Sequence, residues 1–201
     1  IDYYGGFRPG DGLFGTSLIA LNSETGERVW HFQTVKHDVW NYDNPAAPIQ
    51  LDLNIPGRGP VASVSQVTKQ GFVYAFDRMT GEPIWPMVER AVPASEVPGE
   101  KLATTQPFPT KPPAFEMQGI SEDDLIDFTP ELRREALEVM TNYDMGPLFN
   151  PPIHAGNAAG KISAAMCPGD GGGANITAPP VADPTTGFLY VSSARACSWQ
   201  R

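Results

Sequence analysis

Apolar and polar residues alternate along much of this chain in short runs, each closed by a cluster of turn formers. Ile49 to Leu53 and Val61 to Val67 alternate like strands around the turn Pro56-Gly57-Arg58-Gly59-Pro60, and Val73-Tyr74-Ala75-Phe76 reads as the next strand. One pattern recurs. Residues 19–30 read Ile-Ala-Leu-Asn-Ser-Glu-Thr-Gly-Glu-Arg-Val-Trp, and residues 74–85 read Tyr-Ala-Phe-Asp-Arg-Met-Thr-Gly-Glu-Pro-Ile-Trp. A third, partial copy runs from Val181 to Val191 through Asp183, Thr186 and Gly187. The unit predicts a hairpin: an Asn or Asp side chain accepts from backbone N–H groups two residues on, and Gly takes the positive φ that closes the turn. Trp30 and Trp85 then stand where one unit locks against its neighbour.

Two and a half copies at matching offsets predict an all-β fold, most simply a partial β-propeller. The expected organisation is propeller strands over residues 1–85, an insertion over 86–152 and further propeller strands over 153–201. Prolines crowd residues 86–115, which reads as an extended, loop-like cover. Two helix starts follow, at Ser121-Glu122-Asp123-Asp124 and at Thr129-Pro130-Glu131-Leu132. The second is expected to pack Leu132, Ala136, Val139 and Met140 downward as an amphipathic lid, leaving Glu131, Glu135 and Glu138 to solvent.

Composition narrows the partners. Gly and Pro together make about a fifth of the 201 residues, which suits short strands and loops. A formal net charge of −9 argues against nucleic acid, which demands clustered cations. No apolar run is long enough to cross a membrane. The chain opens on Ile1 without a Met and stops at Arg201 straight after an apparent strand, and we expect a fragment of a longer protein. Cys167 and Cys197 fit neither a haem-attachment nor a zinc spacing, and read either as free buried thiols or as a disulfide.

Candidate chemistry concentrates in His37-Asp38-Val39-Trp40-Asn41-Tyr42-Asp43 together with Lys69. Polar groups interleaved with flat rings suit the floor of a pocket for an anionic, planar ligand. His37 and Asp38 also fit a surface pair, and Trp40 and Tyr42 fit packing. On a strand Asn41 and Asp43 face one side and present an amide oxygen and a carboxylate to one point, a pair of hard donors suited to calcium or another hard cation. Lys69, in the tight connection Lys69-Gln70-Gly71, points a positive charge inward. The run Gly169 to Asn175 lacks the ending of a phosphate loop; its glycines let backbone approach a flat ligand closely, with Asn175 as donor and acceptor.

Several stretches together resemble the pyrroloquinoline-quinone (PQQ) dependent dehydrogenases, in the style of the membrane glucose dehydrogenase-like branch. They are Arg8 to Phe14 with Ser17 to Leu21, His31-Phe32-Gln33, His37-Asp38-Val39-Trp40, Thr68 to Tyr74, Thr105 to Pro109 and Gly172-Gly173-Ala174-Asn175. The resemblance implies an eight-bladed propeller, of which this chain would cover roughly three blades, oxidising an alcohol or sugar hydroxyl in the periplasm. Attachment to the inner membrane would lie outside these residues. It implies PQQ and Ca²⁺ or a lanthanide as cofactors, ubiquinone or cytochrome c as electron acceptor, and the rest of the propeller as partner. Lys69 matches the family's cation at the quinone's reactive carbonyl edge, Asn175 an amide that contacts PQQ, and Asp43 an extra carboxylate of lanthanide-using members. The cysteine pairing implied is Cys167–Cys197. Asn41 stands where the family carries its catalytic, metal-ligating aspartate; an amide still coordinates a cation but takes no proton from a hydroxyl. The resemblance therefore implies either an enzyme whose base is Asp43 or Asp38, or a non-catalytic scaffold with a decayed quinone site.

Overall fold

The computed structural model describes residues 3–174 and 179–201, so Asn175 lies outside the described residues. Strands dominate. β1 (Ser17–Leu21) and β2 (Arg28–Gln33) pair antiparallel as the hairpin of the first repeat. β3 (Ile49–Ile55), β4 (Gly59–Val67) and β5 (Val73–Asp77) form an antiparallel meander, and its edge is extended by a bridge from Phe76 to Pro83 and the bond from Ile84 N to Ala75 O (2.9 Å). That four-part unit over residues 49–84 is one propeller blade.

The three repeat turns share one geometry. Gly26, Gly81 and Gly187 hold φ of +73°, +76° and +73°, and each N–H donates to the carbonyl of the Asx four residues earlier at 2.8, 2.8 and 2.9 Å. Asn22, Asp77 and Asp183 each cap the turn by accepting backbone N–H groups through Oδ1. Trp30 carries the lock between units: its indole lies against Gly81, where an added Cβ would fall 2.6 Å from the ring, and Nε1 donates to Arg78 O at 3.0 Å. Trp85 differs, packing on Val61, Ala75 and Ile84 of its own blade.

The stretch read as loop-like contains a strand pair, β6 (Met87–Ala91) with β7 (Thr105–Pro109). Pro107 and Pro109 lie opposite Glu89 and Met87 in a two-stranded sheet, where a residue without an N–H has an open edge to face. Gln106 ties this pair inward, accepting from Lys36 N at 2.8 Å and donating to Lys36 O at 2.7 Å. The start at Ser121 yields a single 3₁₀ turn over Glu122–Asp124. The start at Thr129 yields α1 (Pro130–Met140), capped by Thr129 Oγ1 accepting from Leu132 N. Its inward face is not the one expected: Arg133, Ala136, Leu137 and Met140 turn in, while Leu132 and Val139 are exposed. The helix rides on the surface, so only Met140 is buried.

β8 (Tyr143–Asp144) pairs parallel with β9 (Ser163–Met166), which also pairs with β12 (Ser198–Gln200). β10 (Val181–Asp183) and β11 (Phe188–Tyr190) make the third repeat hairpin. The main core gathers Leu18, Trp40, Tyr42, Tyr74, Phe76 and Phe149, with rings meeting mostly edge to face. A disulfide joins Cys167 and Cys197, in the pairing the resemblance implied.

Candidate functional site

The sharp loop after β2 positions the cluster, and its backbone is not a strand. His37 and Asn41 take φ of +48° and +61°. Asn tolerates that left-handed conformation better than most residues because its short polar side chain finds local partners. The alternation expected of a pleat is therefore absent, and the group that meets Lys69 is the backbone carbonyl of Asn41 rather than its amide. Lys69 Nζ donates to Asn41 O at 2.9 Å and pairs with Asp43 Oδ1 at 2.5 Å. Lys69 is 5% exposed while the Asp43 side chain is 53% exposed, so an ammonium rooted in the core meets a carboxylate that opens to solvent.

Three contacts hold the lysine there. Thr68 and Gly71 close a tight turn between β4 and β5, Gly71 N donating to Thr68 O at 3.1 Å. The glycine-rich run packs on top: Gly173 N donates to Lys69 O at 2.8 Å, and a Cβ on Gly172 would lie 2.3 Å from the Lys69 side chain. The close backbone approach those glycines permit is thus to the Lys69 connection itself. Gln70, which nothing in the sequence pattern marked, is fully buried and donates from Nε2 to Tyr42 O at 3.3 Å, fastening the two segments together.

Trp40 and Tyr42 form core rather than pocket floor. Both are fully buried and stacked at 6.4 Å, with Trp40 Nε1 donating to Asn150 O at 2.7 Å and Tyr42 Oη to Pro168 O at 2.6 Å. Burial, reinforced by Asp38 and Asp170, pushes the Tyr42 phenol well above its ordinary range, so it stays a neutral donor. His37 is buried, its two ring nitrogens facing the carbonyls of Gly10 at 2.6 Å and Gly5 at 3.0 Å. Asp38 is no surface partner of His37. Its Oδ1 accepts from Trp40 N at 2.9 Å and its Oδ2 from Thr16 Oγ1 at 3.2 Å, and burial raises its pKa against those hydrogen bonds.

Asp38 and Asp43 both line a cavity of about 160 Å³ shared with Arg8, Thr16 and Gln33. Arg8 spans it, donating from a terminal nitrogen to Asp38 O at 2.7 Å, and its buried Nε has no partner among the described residues.

The donor set fits a quinone better than it fits a complete metal site. The buried Lys69 ammonium suits the edge of an anionic, carbonyl-bearing ring, while the exposed Asp43 carboxylate beside it suits a proton or a cation. Asp43 and Asn41 offer a hard cation two oxygens among the described residues, against the six to eight that calcium takes. No group of three His, Cys, Asp or Glu residues stands together among the described residues.

Comparison with known proteins supplies the context. A PQQ family model described as the glucose/ethanol/alcohol dehydrogenase β-propeller domain matches residues 1–201. The chain is 30% identical over 202 residues to quinate/shikimate dehydrogenase (quinone) of Acinetobacter baylyi, covering 99% of this chain and 24% of that protein. It is 40% identical over 99 residues to quinohemoprotein alcohol dehydrogenase ADH-IIG of Pseudomonas putida, covering 49% of this chain and 13% of that one. Among solved structures, the Pseudomonas putida quinohemoprotein alcohol dehydrogenase aligns at TM-score 0.54 and 24% identity over 94% of this chain and 21% of its own. A europium-containing methanol dehydrogenase aligns at TM-score 0.53 and 21% identity over 95% of this chain and 26% of its own. Those two likenesses place the fold, and the chain spans about a quarter or less of the relatives it matches. With the family model running from the first residue to the last, the chain belongs to the PQQ-dependent glucose, ethanol and alcohol dehydrogenase β-propellers.

Proposed function

We propose that the chain is a segment of a PQQ-dependent dehydrogenase that oxidises an alcohol or sugar hydroxyl and passes the electrons to ubiquinone or cytochrome c. The observation that carries this reading is Lys69 Nζ, buried at its root and held between Asn41 O and the Asp43 carboxylate. Bound PQQ supplies a two-electron, hydride-accepting o-quinone. Lys69 is the cation that would bind its anionic edge, and Asp43 is the base that would take the substrate's hydroxyl proton. Asp38 serves this role less well, since both its oxygens already accept hydrogen bonds that shape the loop. Asn41 and Asp43 would give two oxygens to Ca²⁺ or a lanthanide, with the remaining ligands from outside these 201 residues. Asn175 would contact the quinone from the glycine-rich run. The Cys167–Cys197 disulfide supports an oxidising compartment such as the periplasm.

Asn41 favours a second reading, a propeller scaffold whose quinone site has lost its base. Titrating the full-length apo-protein with PQQ and Ca²⁺ or a lanthanide, then following dye reduction with alcohols and aldoses, separates the two. An enzyme using Asp43 shows activity that Asp43→Asn lowers by about 10²–10⁴-fold, the usual worth of a general base. A scaffold shows none until Asn41→Asp creates it. Absence of quinone uptake with every metal rejects the dehydrogenase reading.

A further inference from the structure

We propose that the cavity beside the β6–β7 pair is a second small-molecule site, shaped for a flat aromatic carboxylate. It goes beyond the dehydrogenase reading, because none of Asn41, Asp43 and Lys69 lines it. The cavity measures about 540 Å³ and opens between the β6–β7 pair and the segments around Pro113 and Phe149. That volume lies within the range of ligand pockets, which combine apolar walls with a few polar groups.

Its walls are aromatic. Phe108 stands centrally, with its centroid 5.6 Å from those of both Phe72 and Phe149 and its plane nearly perpendicular to each, at 72° and 88°. Phe72 and Phe149 are buried, so the half-buried Phe108 is the ring with surface left to meet a flat ligand. Pro109 and Pro113 add rigid apolar surface that loses little entropy when covered.

The polar group that selects the ligand's charge is Arg90. Its guanidinium carbon lies 4.8 Å over the Phe108 ring, and it joins none of the ion pairs found among the described residues. A guanidinium already stacked on an aromatic face still presents its fork of N–H donors in plane, the geometry that grips a carboxylate with two parallel bonds. Arg90 is exposed, and with no carboxylate paired to it among the described residues an incoming anion displaces no ion pair there. Gln118 also lines the cavity, its amide N–H₂ held by the carbonyls of Gln70, Glu116 and Met117.

Calorimetric titration of the full-length protein with benzoate, 2-naphthoate and the neutral isostere benzamide tests the proposal. The two carboxylates should bind at least about tenfold more tightly than benzamide, with 2-naphthoate ahead because the cavity has room for two rings. Arg90→Gln should erase the preference for charge, and Arg90→Lys should restore part of it. Ala114→Phe, at an exposed position lining the cavity, should abolish binding of all three. PQQ uptake should be the same in Arg90→Gln as in the native protein, so a failure here is separable from a failure at Lys69. Equal affinity for benzamide and benzoate, retained carboxylate affinity in Arg90→Gln, or no binding of either acid overturns the proposal.

Discussion

Asn41 shows how a backbone angle supplies a contact that the side-chain pattern did not mark. With φ at +61°, its carbonyl turns toward the Lys69 ammonium, and a β-carbon at that angle is tolerated mainly because the residue is Asn. Asn41→Ala should therefore cost about 1–2 kcal/mol in a denaturant melt, while Asn41→Gly, free of that strain, should come within a few tenths of the native protein. Equal losses for both would assign the position's value to the amide. Asp38 sets a pH dependence in the same loop. Burial lifts its folded-state pKa above the ordinary 3.8, so the native state holds this proton more tightly than the unfolded chain does. The resulting stabilisation is complete below 3.8 and is lost as pH climbs through the raised folded-state value. Asp38→Asn keeps an acceptor for Trp40 N and has no proton to lose. Measured against pH, the stability of the native protein relative to Asp38→Asn should fall as pH rises through that window; a constant difference would mean that folding leaves this carboxyl as it was.

The repeat hairpins make a sharper test at the level of elements, because two of their glycines differ in one respect only. Gly26 and Gly81 share the same turn and nearly the same φ, but nothing lies within 4 Å of a Cβ built on Gly26, whereas one on Gly81 would run into Trp30. Alanine at Gly26 should cost only the backbone term of about 1–2 kcal/mol, and alanine at Gly81 roughly 1–3 kcal/mol more from overpacking. Similar losses from the two would show that Trp30 does not lock the units. These turns were legible in the sequence because Asx, Thr and Gly each act locally, through bonds that close within five residues. The strands of the 49–84 blade were legible for the same reason, their alternation being a local record of which face is covered. The features that the local pattern missed were set by distant neighbours. The start of α1 was readable from Thr129 and Pro130, but which face turns in depends on what lies beneath, and little does. The prolines of β7 looked like loop because their pairing uses a sheet edge that no local pattern reveals. Lys69 does lie against the Asn41–Asp43 stretch, yet the left-handed turn that delivers the Asn41 carbonyl has no period to read.

Across the whole molecule the disulfide does more than join two strand ends. Spacing alone left Cys167 and Cys197 open between free thiols and a bridge, since thirty residues of separation carry no geometry; family resemblance chose the pairing. The bridge encloses the glycine-rich run and the β10–β11 hairpin, and short bonds relay it to the site: Gly169 N to Ala196 O at 2.8 Å, Ala194 N to Gly173 O at 3.0 Å, and Gly173 N to Lys69 O at 2.8 Å. Closing a loop of that length lowers the entropy of the unfolded chain by an amount worth about 3–4 kcal/mol in the chain-entropy model. The Cys167→Ser, Cys197→Ser double variant of the full-length protein should lose stability of that order. Because the relay ends on Lys69, the Gly173 amide should also exchange with solvent faster in the variant, by a larger factor than amides of the β3–β4 pair, whose ladder bonds are made outside the bridged loop. A variant that melts lower while Gly173 stays as protected as β4 would leave the bridge as a staple of the chain and remove it from the support of the lysine.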